Sequence, residues 1–118
     1  DPTYPSVHDK LNAAYLNKGI VVTKYTGARG KSSTNDANAE FVAKIRTLFD
    51  GEKVVWQTGE LGKVDEGGGG TVAKYIANLG VEVVDVGVPV LSMHAPFEVV
   101  AKLDVYMAFK GFKAFLEK

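Results

Sequence analysis

The strongest constraint on this chain is its alternation of two periodicities, in which short β-branched runs bounded by glycine separate stretches with apolar residues every three to four positions. Ile20-Val21-Val22-Thr23-Lys24-Tyr25 is almost wholly β-branched or aromatic between Gly19 and Gly27. That composition predicts a strand of about six residues with Lys24 near its end. Lys53 to Gln57 and Val81 to Val86 predict two more strands, the latter continuing apolar through Val88 to Leu91. Between them, Val7, Leu11, Ala14 and Tyr15 predict a helix from Ser6 to Leu16, stopped at Asn17-Lys18-Gly19. Thr34 or Asn35 is expected to cap a second helix running to about Phe49. A third is expected over Thr71 to Leu79, closed by Gly80, and a fourth from about Phe97 to Leu116. Thr26 to Thr34 and Thr58 to Gly70 lack periodicity and predict loops. The pattern implies an α/β layered fold with a largely parallel or mixed sheet flanked by helices, in one domain spanning 1–118.

A chain of 118 residues is long enough to bury about two-thirds of its unfolded surface. Fourteen basic residues balance fourteen acidic ones, so no net field draws it to nucleic acid or to an anionic membrane. Cysteine is absent, which removes disulfides and thiolate metal sites and leaves His, Asp and Glu as ligands. No apolar run approaches the ~20 residues of a membrane span, and no secretory signal is visible. A soluble, cytoplasmic protein is the expectation. The start at Asp1-Pro2 rather than Met reads as processing or as a piece of something longer, and the motifs below favour the second.

Three segments carry chemistry. His94 follows the apolar run ending at Leu91 and precedes Ala95-Pro96, which places its imidazole at a sheet end, where open α/β folds bind ligands. A lone imidazole there reads as a metal ligand or as a hydrogen-bonded structural residue; Glu98 would orient it or favour a helix dipole. Glu66-Gly67-Gly68-Gly69-Gly70-Thr71 runs straight into a predicted helix and would present backbone N–H groups to an anion, without the spacing of a P-loop or dinucleotide fingerprint. A flexible connection is the plainer reading of the same glycines. Lys24, beside a basic loop with Arg29 and Lys31, would pair with a substrate carboxylate or stay solvated. His8 has no partner at ligand spacing and reads as a surface histidine.

Taken together, Asp1 to Pro5, Gly19 to Tyr25, Trp56 to Asp65 with Gly67 to Thr71, Asp85 to Pro96 and Lys102 to Tyr106 resemble the aspartyl aminopeptidase and aminopeptidase I family of cocatalytic zinc metallopeptidases. The resemblance implies the C-terminal part of a catalytic domain whose relatives assemble into dodecameric shells. It also implies that His94 is the last ligand of a two-zinc pair, that Met93 and the Gly67 to Thr71 segment, including Gly69 and Gly70, line the substrate pocket, and that Lys24 contacts substrate. Lys31 lies where some relatives carry an aromatic residue facing the pocket. The family's other ligands, one histidine and three carboxylates, and the glutamate that activates the bridging water would lie upstream of Asp1.

The expected function is therefore zinc-dependent removal of N-terminal residues from peptides. The 118-residue chain alone is expected to be inactive, and its expected partners are the upstream part of the same domain, a peptide substrate and further copies of itself. The alternatives are a non-catalytic structural or assembly module derived from such an enzyme and a small-anion-binding module built on the glycine run.

Overall fold

The computed structural model describes residues 5–6, 8–27, 34–63 and 69–118. Arg29, Lys31 and the run 64–68, with Gly67 and Gly68, lie outside the described residues. The central strand β1 (Ile20–Thr23) is buried along its whole length. It pairs in parallel with β4 (Trp56–Thr58), Ile20 opposite Trp56, and antiparallel with β5 (Asp85–Gly87), Val22 opposite Val86. The sheet is thus mixed, in the order β4-β1-β5. A two-stranded ribbon of β2 (Tyr25–Thr26) and β3 (Asn35–Asp36) stands beside it. Three helices follow the expected segments with shifted ends: α1 (Ala39–Gly51), α2 (Ala73–Ala77) and α3 (Lys102–Glu117).

The core gathers Ile20 and Val22 of β1, Ile45 and Phe49 of α1, Val54, and Ala108 of α3. Burying each large aliphatic side chain there contributes about 2 kcal/mol. Gly111 sets how closely α3 approaches: a Cβ at that position would stand 3.1 Å from the Phe49 ring and 3.3 Å from Ile20 Cδ1. Gly19, at φ 92°, lies against the Val55 carbonyl where no side chain fits, and its conformation turns the chain into β1.

Several expectations are corrected. In the expected helix Ser6 to Leu16, the described residues 6 and 8–16 form turns and irregular chain instead, and Val7 lies outside the described residues. The Asp9 carboxylate accepts the Leu11 backbone N–H at 2.9 Å and the Asn12 amide at 2.8 Å, a local bonding scheme that competes with helical hydrogen bonds. The expected first strand breaks at Lys24 into two short ones, and Asn35 belongs to β3, so the cap of α1 is Asn38, whose Oδ1 accepts the Phe41 N–H at 2.7 Å. Thr26, expected in a loop, is 2 % exposed in β2. The third strand begins at Asp85 rather than Val81. The last helix begins at Lys102 rather than Phe97, because Val99 is drawn into an antiparallel bridge with Leu91.

Candidate functional site

A cleft of about 1100 Å³ opens beside β1 and β5. Its walls come from the 8–15 segment, Val21 and Thr23 of β1, the Gly59–Gly62 turn, Thr71, and the stretch from Asp85 to Met93. The irregular 8–15 wall is held in place by Gln57, whose amide accepts the Tyr15 N–H at 3.0 Å and donates to the Tyr15 and Gly19 carbonyls at 2.9 and 3.1 Å.

Three polar side chains form a line along this cleft. Thr26 Oγ1 donates to Asp85 Oδ2 at 3.5 Å and lies 3.4 Å from Thr71 Oγ1. With the Thr26 proton directed to Asp85, Thr71 donates to Thr26. Thr71 Oγ1 in turn accepts the N–H of Ala73, the first residue of α2, at 3.3 Å. That bond takes up an N–H group which the anion-binding reading needed, and α2 is a single short turn of five residues. Gly69 and Gly70 lead into Thr71, and a Cβ at Gly69 would meet nothing within 4 Å. This chain by itself therefore imposes no steric need for glycine at Gly69.

Met93 lines the cleft and His94 follows it at the tip of a closed loop. Leu91 and Val99 bridge the base of that loop through N–H···O bonds of 2.9 and 3.2 Å, and Ala95 N–H donates to Ser92 O at 2.9 Å. Ser92 and His94 both adopt left-handed backbone, at φ 60° and 70°. Non-glycine residues are held there at a cost of about 1 kcal/mol or more, which marks positions where the surrounding structure fixes a special geometry. Glu98 has a different role from the one expected: it neither opens a helix nor is seen bonded to the imidazole. Its Oε1 accepts the backbone N–H of His94 at 2.6 Å and so braces the loop. The His94 side chain is left exposed.

Lys24 lies at the bend between β1 and β2, where its carbonyl accepts the Ala37 N–H at 2.8 Å. Its ammonium is paired with Asp36 of β3. Glu60, half-buried on the cleft wall, lies in the field of both. Burial raises the Glu60 carboxyl above its ordinary value, with Asp36 and Asp9 adding to the rise and the Tyr25 N–H and Lys24 opposing it. Asp9 is held low by the Asn12 and Leu11 hydrogen bonds. His8, read as a surface residue, also lines the cleft.

The structure thus brings Thr71 and Met93 into one cleft and sets His94 next to Met93; Lys24 does not line the cleft but stands between Thr23 and Thr26, which do. Thr26, Asp36 and Glu60 were not singled out from sequence. Their roles depend on the β2–β3 register and on burial, which local pattern does not carry. Among the described residues no group of three or more His, Asp or Glu is placed to hold a metal ion. The exposed His94 imidazole has the chemistry of one zinc ligand, and the described residues do not by themselves complete a site.

A mixed α/β sheet thus carries an exposed imidazole on a braced loop beside a largely apolar cleft. Residues 1–116 match the family model described as aminopeptidase I zinc metalloprotease (M18), and the chain belongs to that family. It is 56 % identical over 116 residues to a probable M18 family aminopeptidase 1 of Clostridium acetobutylicum, covering 98 % of this chain and 25 % of the relative. A protein of the same description from Thermotoga maritima is 49 % identical over 118 residues, covering 100 % of this chain and 26 % of the relative. The crystal structure of aminopeptidase I from Clostridium acetobutylicum superposes with a TM-score of 0.89 at 55 % identity, covering 100 % of this chain and 26 % of that one. The chain therefore spans about a quarter of the length of the relatives it matches.

Proposed function

We propose that this chain is the C-terminal part of the catalytic domain of a zinc-dependent aminopeptidase that removes N-terminal residues from peptides. The observation that carries the reading is His94, held by left-handed backbone and the Glu98 brace beside a cleft lined by Met93 and Thr71, in a chain that belongs to the M18 zinc family. In the assembled site His94 supplies one ligand of a metal pair, and the other ligands come from the upstream part of the domain. Zinc, when bound, polarises a peptide carbonyl and lowers the pKa of its water. The chain's own residues position the substrate: Met93 and Val21 give the cleft an apolar wall, Thr71 and the approach through Gly69 and Gly70 face the peptide backbone, and Lys24 contacts the substrate's side-chain end.

The partners in this reading are the upstream segment, a peptide substrate and other copies of the chain. Self-association is supported by the exposed apolar residues of α3, among them Leu103, Phe109 and Leu116. A cytoplasmic setting agrees with the absence of cysteine, and among the described residues no helix is long and apolar enough to cross a membrane. The same exposed face favours a second reading, a non-catalytic assembly module. Amino-acid amide hydrolysis, assayed with zinc for the 118-residue chain alone and for the assembled enzyme, separates the two. The aminopeptidase reading expects activity from the assembled enzyme and none from the chain alone; an inactive assembled protein that still oligomerises supports the assembly module.

A further inference from the structure

We propose that Asp36 is a specificity-determining residue that turns the substrate pocket toward neutral rather than acidic N-terminal side chains, by occupying the Lys24 ammonium. The proposal deepens the aminopeptidase reading and rests on Lys24 being a substrate contact.

A lone lysine at a substrate pocket attracts carboxylates. Here the lysine is not alone: the β2–β3 ladder sets Tyr25 opposite Asp36, and the Ala37 N–H to Lys24 O bond at 2.8 Å extends that register to the bend. The two backbones therefore deliver Asp36 to the ammonium, and the ion pair follows from the fold. A second carboxylate, Glu60, lies in the field of both groups on the cleft wall. Among the described residues, the Lys24 ammonium thus faces two carboxylates, Asp36 and Glu60.

An acidic substrate side chain would have to share the Lys24 ammonium with Asp36 or displace it. Either way a third negative charge enters beside Asp36 and Glu60. A neutral side chain leaves the pair intact, so the pocket discriminates by an unfavourable contact with the wrong substrate. The side chains of Lys24 and Asp36 are 49 % and 59 % exposed, so the pair does little for stability; Lys24 stands between Thr23 and Thr26, both of which line the cleft.

The test compares kcat/KM for glutamyl and glutaminyl p-nitroanilides, which differ in charge but hardly in shape, using the assembled enzyme with zinc. The unmutated enzyme is expected to prefer the glutaminyl substrate. Asp36→Asn, close in volume and without charge, is expected to raise the glutamyl-to-glutaminyl ratio about fivefold, the scale of a half-exposed ion pair, mainly through KM. The rise should vanish when Lys24→Met is added, as a coupled pair requires. An unmutated enzyme that prefers the glutamyl substrate overturns the proposal, as does an unchanged ratio in an active Asp36→Asn enzyme. Failure of the unmutated enzyme to hydrolyse either substrate, or any neutral amino-acid amide, overturns the aminopeptidase reading and this inference with it.

Discussion

Asp104, 1 % exposed in the first turn of α3, accepts the backbone N–H of Gly19 at 2.8 Å across 85 residues of sequence. Its second carboxylate oxygen accepts the Asn17 N–H, also at 2.8 Å. One side chain thereby ties the C-terminal helix to the turn that launches the central strand, and the left-handed residues Asn17 and Gly19 shape that turn. Asp104→Ala removes the acceptor from both N–H groups and is expected to cost roughly 3 kcal/mol of stability. Asp104→Asn keeps one acceptor but sets an amide donor against the other N–H, and is expected to cost about 2 kcal/mol. Chemical denaturation monitored at Trp56 gives both numbers; a loss below about 1 kcal/mol for the alanine variant contradicts the tie.

Gly111 is expected to resist enlargement. A Cβ there already lies 3.1 Å and 3.2 Å from two Phe49 ring atoms, so the two branches of Gly111→Val have to push the ring or the helix aside. A loss of about 1–3 kcal/mol is expected, despite the poor helix propensity of glycine. An unchanged thermal midpoint for this variant would mean that α3 is free to shift outward.

Glu60 gives a pH signature. Its carboxyl binds a proton more tightly when folded than when unfolded, because burial disfavours the charged form. Stability from this group is therefore fully present below its ordinary value near 4.5 and is lost as the pH rises through the raised folded value. Glu60→Gln is expected to raise the melting temperature at neutral pH and to make little difference in acid below that ordinary value. A variant equally stabilised at both extremes contradicts the assignment.

How far these relationships were legible from sequence depended on their range. Ile20 to Val22 declared a strand because every residue is β-branched, and Ile45 and Phe49 declared the buried face of α1 by their spacing. The pairing direction of β5 was not readable, since three residues serve equally in a parallel or antiparallel ladder. Ser6 to Leu16 carries helical spacing, but Asp9 and Gln57 satisfy its backbone in another way. In the candidate site, His94 and Met93 stood out through the motif that contains them. Asp104 did not: an acid in a first helical turn is ordinary, and only contacts 85 and 87 residues away make it structural. Asp36 was assigned to a helix start, and its pairing with Lys24 depends on a ribbon of two-residue strands too short to leave a pattern.

The outer face of α3 supplies another expectation. Leu103, Tyr106 and Phe109 are more than half exposed, at 64 %, 54 % and 60 %, and Leu116 is 82 % exposed. An apolar surface of that extent on one helix calls for a cover. Sedimentation velocity at micromolar concentration is expected to find the 118-residue chain associated, and Phe109→Glu is expected to shift it toward monomer. A sharp monomer boundary for the unmutated chain contradicts this.

The central claim, that this chain lends its imidazole to a metallopeptidase site, is tested most directly by zinc content and amino-acid amide hydrolysis in the assembled enzyme carrying His94→Ala. Since changes even to the residues behind a metal ligand cost 10- to 100-fold in affinity or activity, loss of the ligand itself is expected to lower kcat/KM by more than about 100-fold and to reduce bound zinc. The fold should stay unperturbed, because the His94 side chain is exposed and the loop is braced through its backbone. Full zinc occupancy and undiminished hydrolysis in the variant would contradict the account.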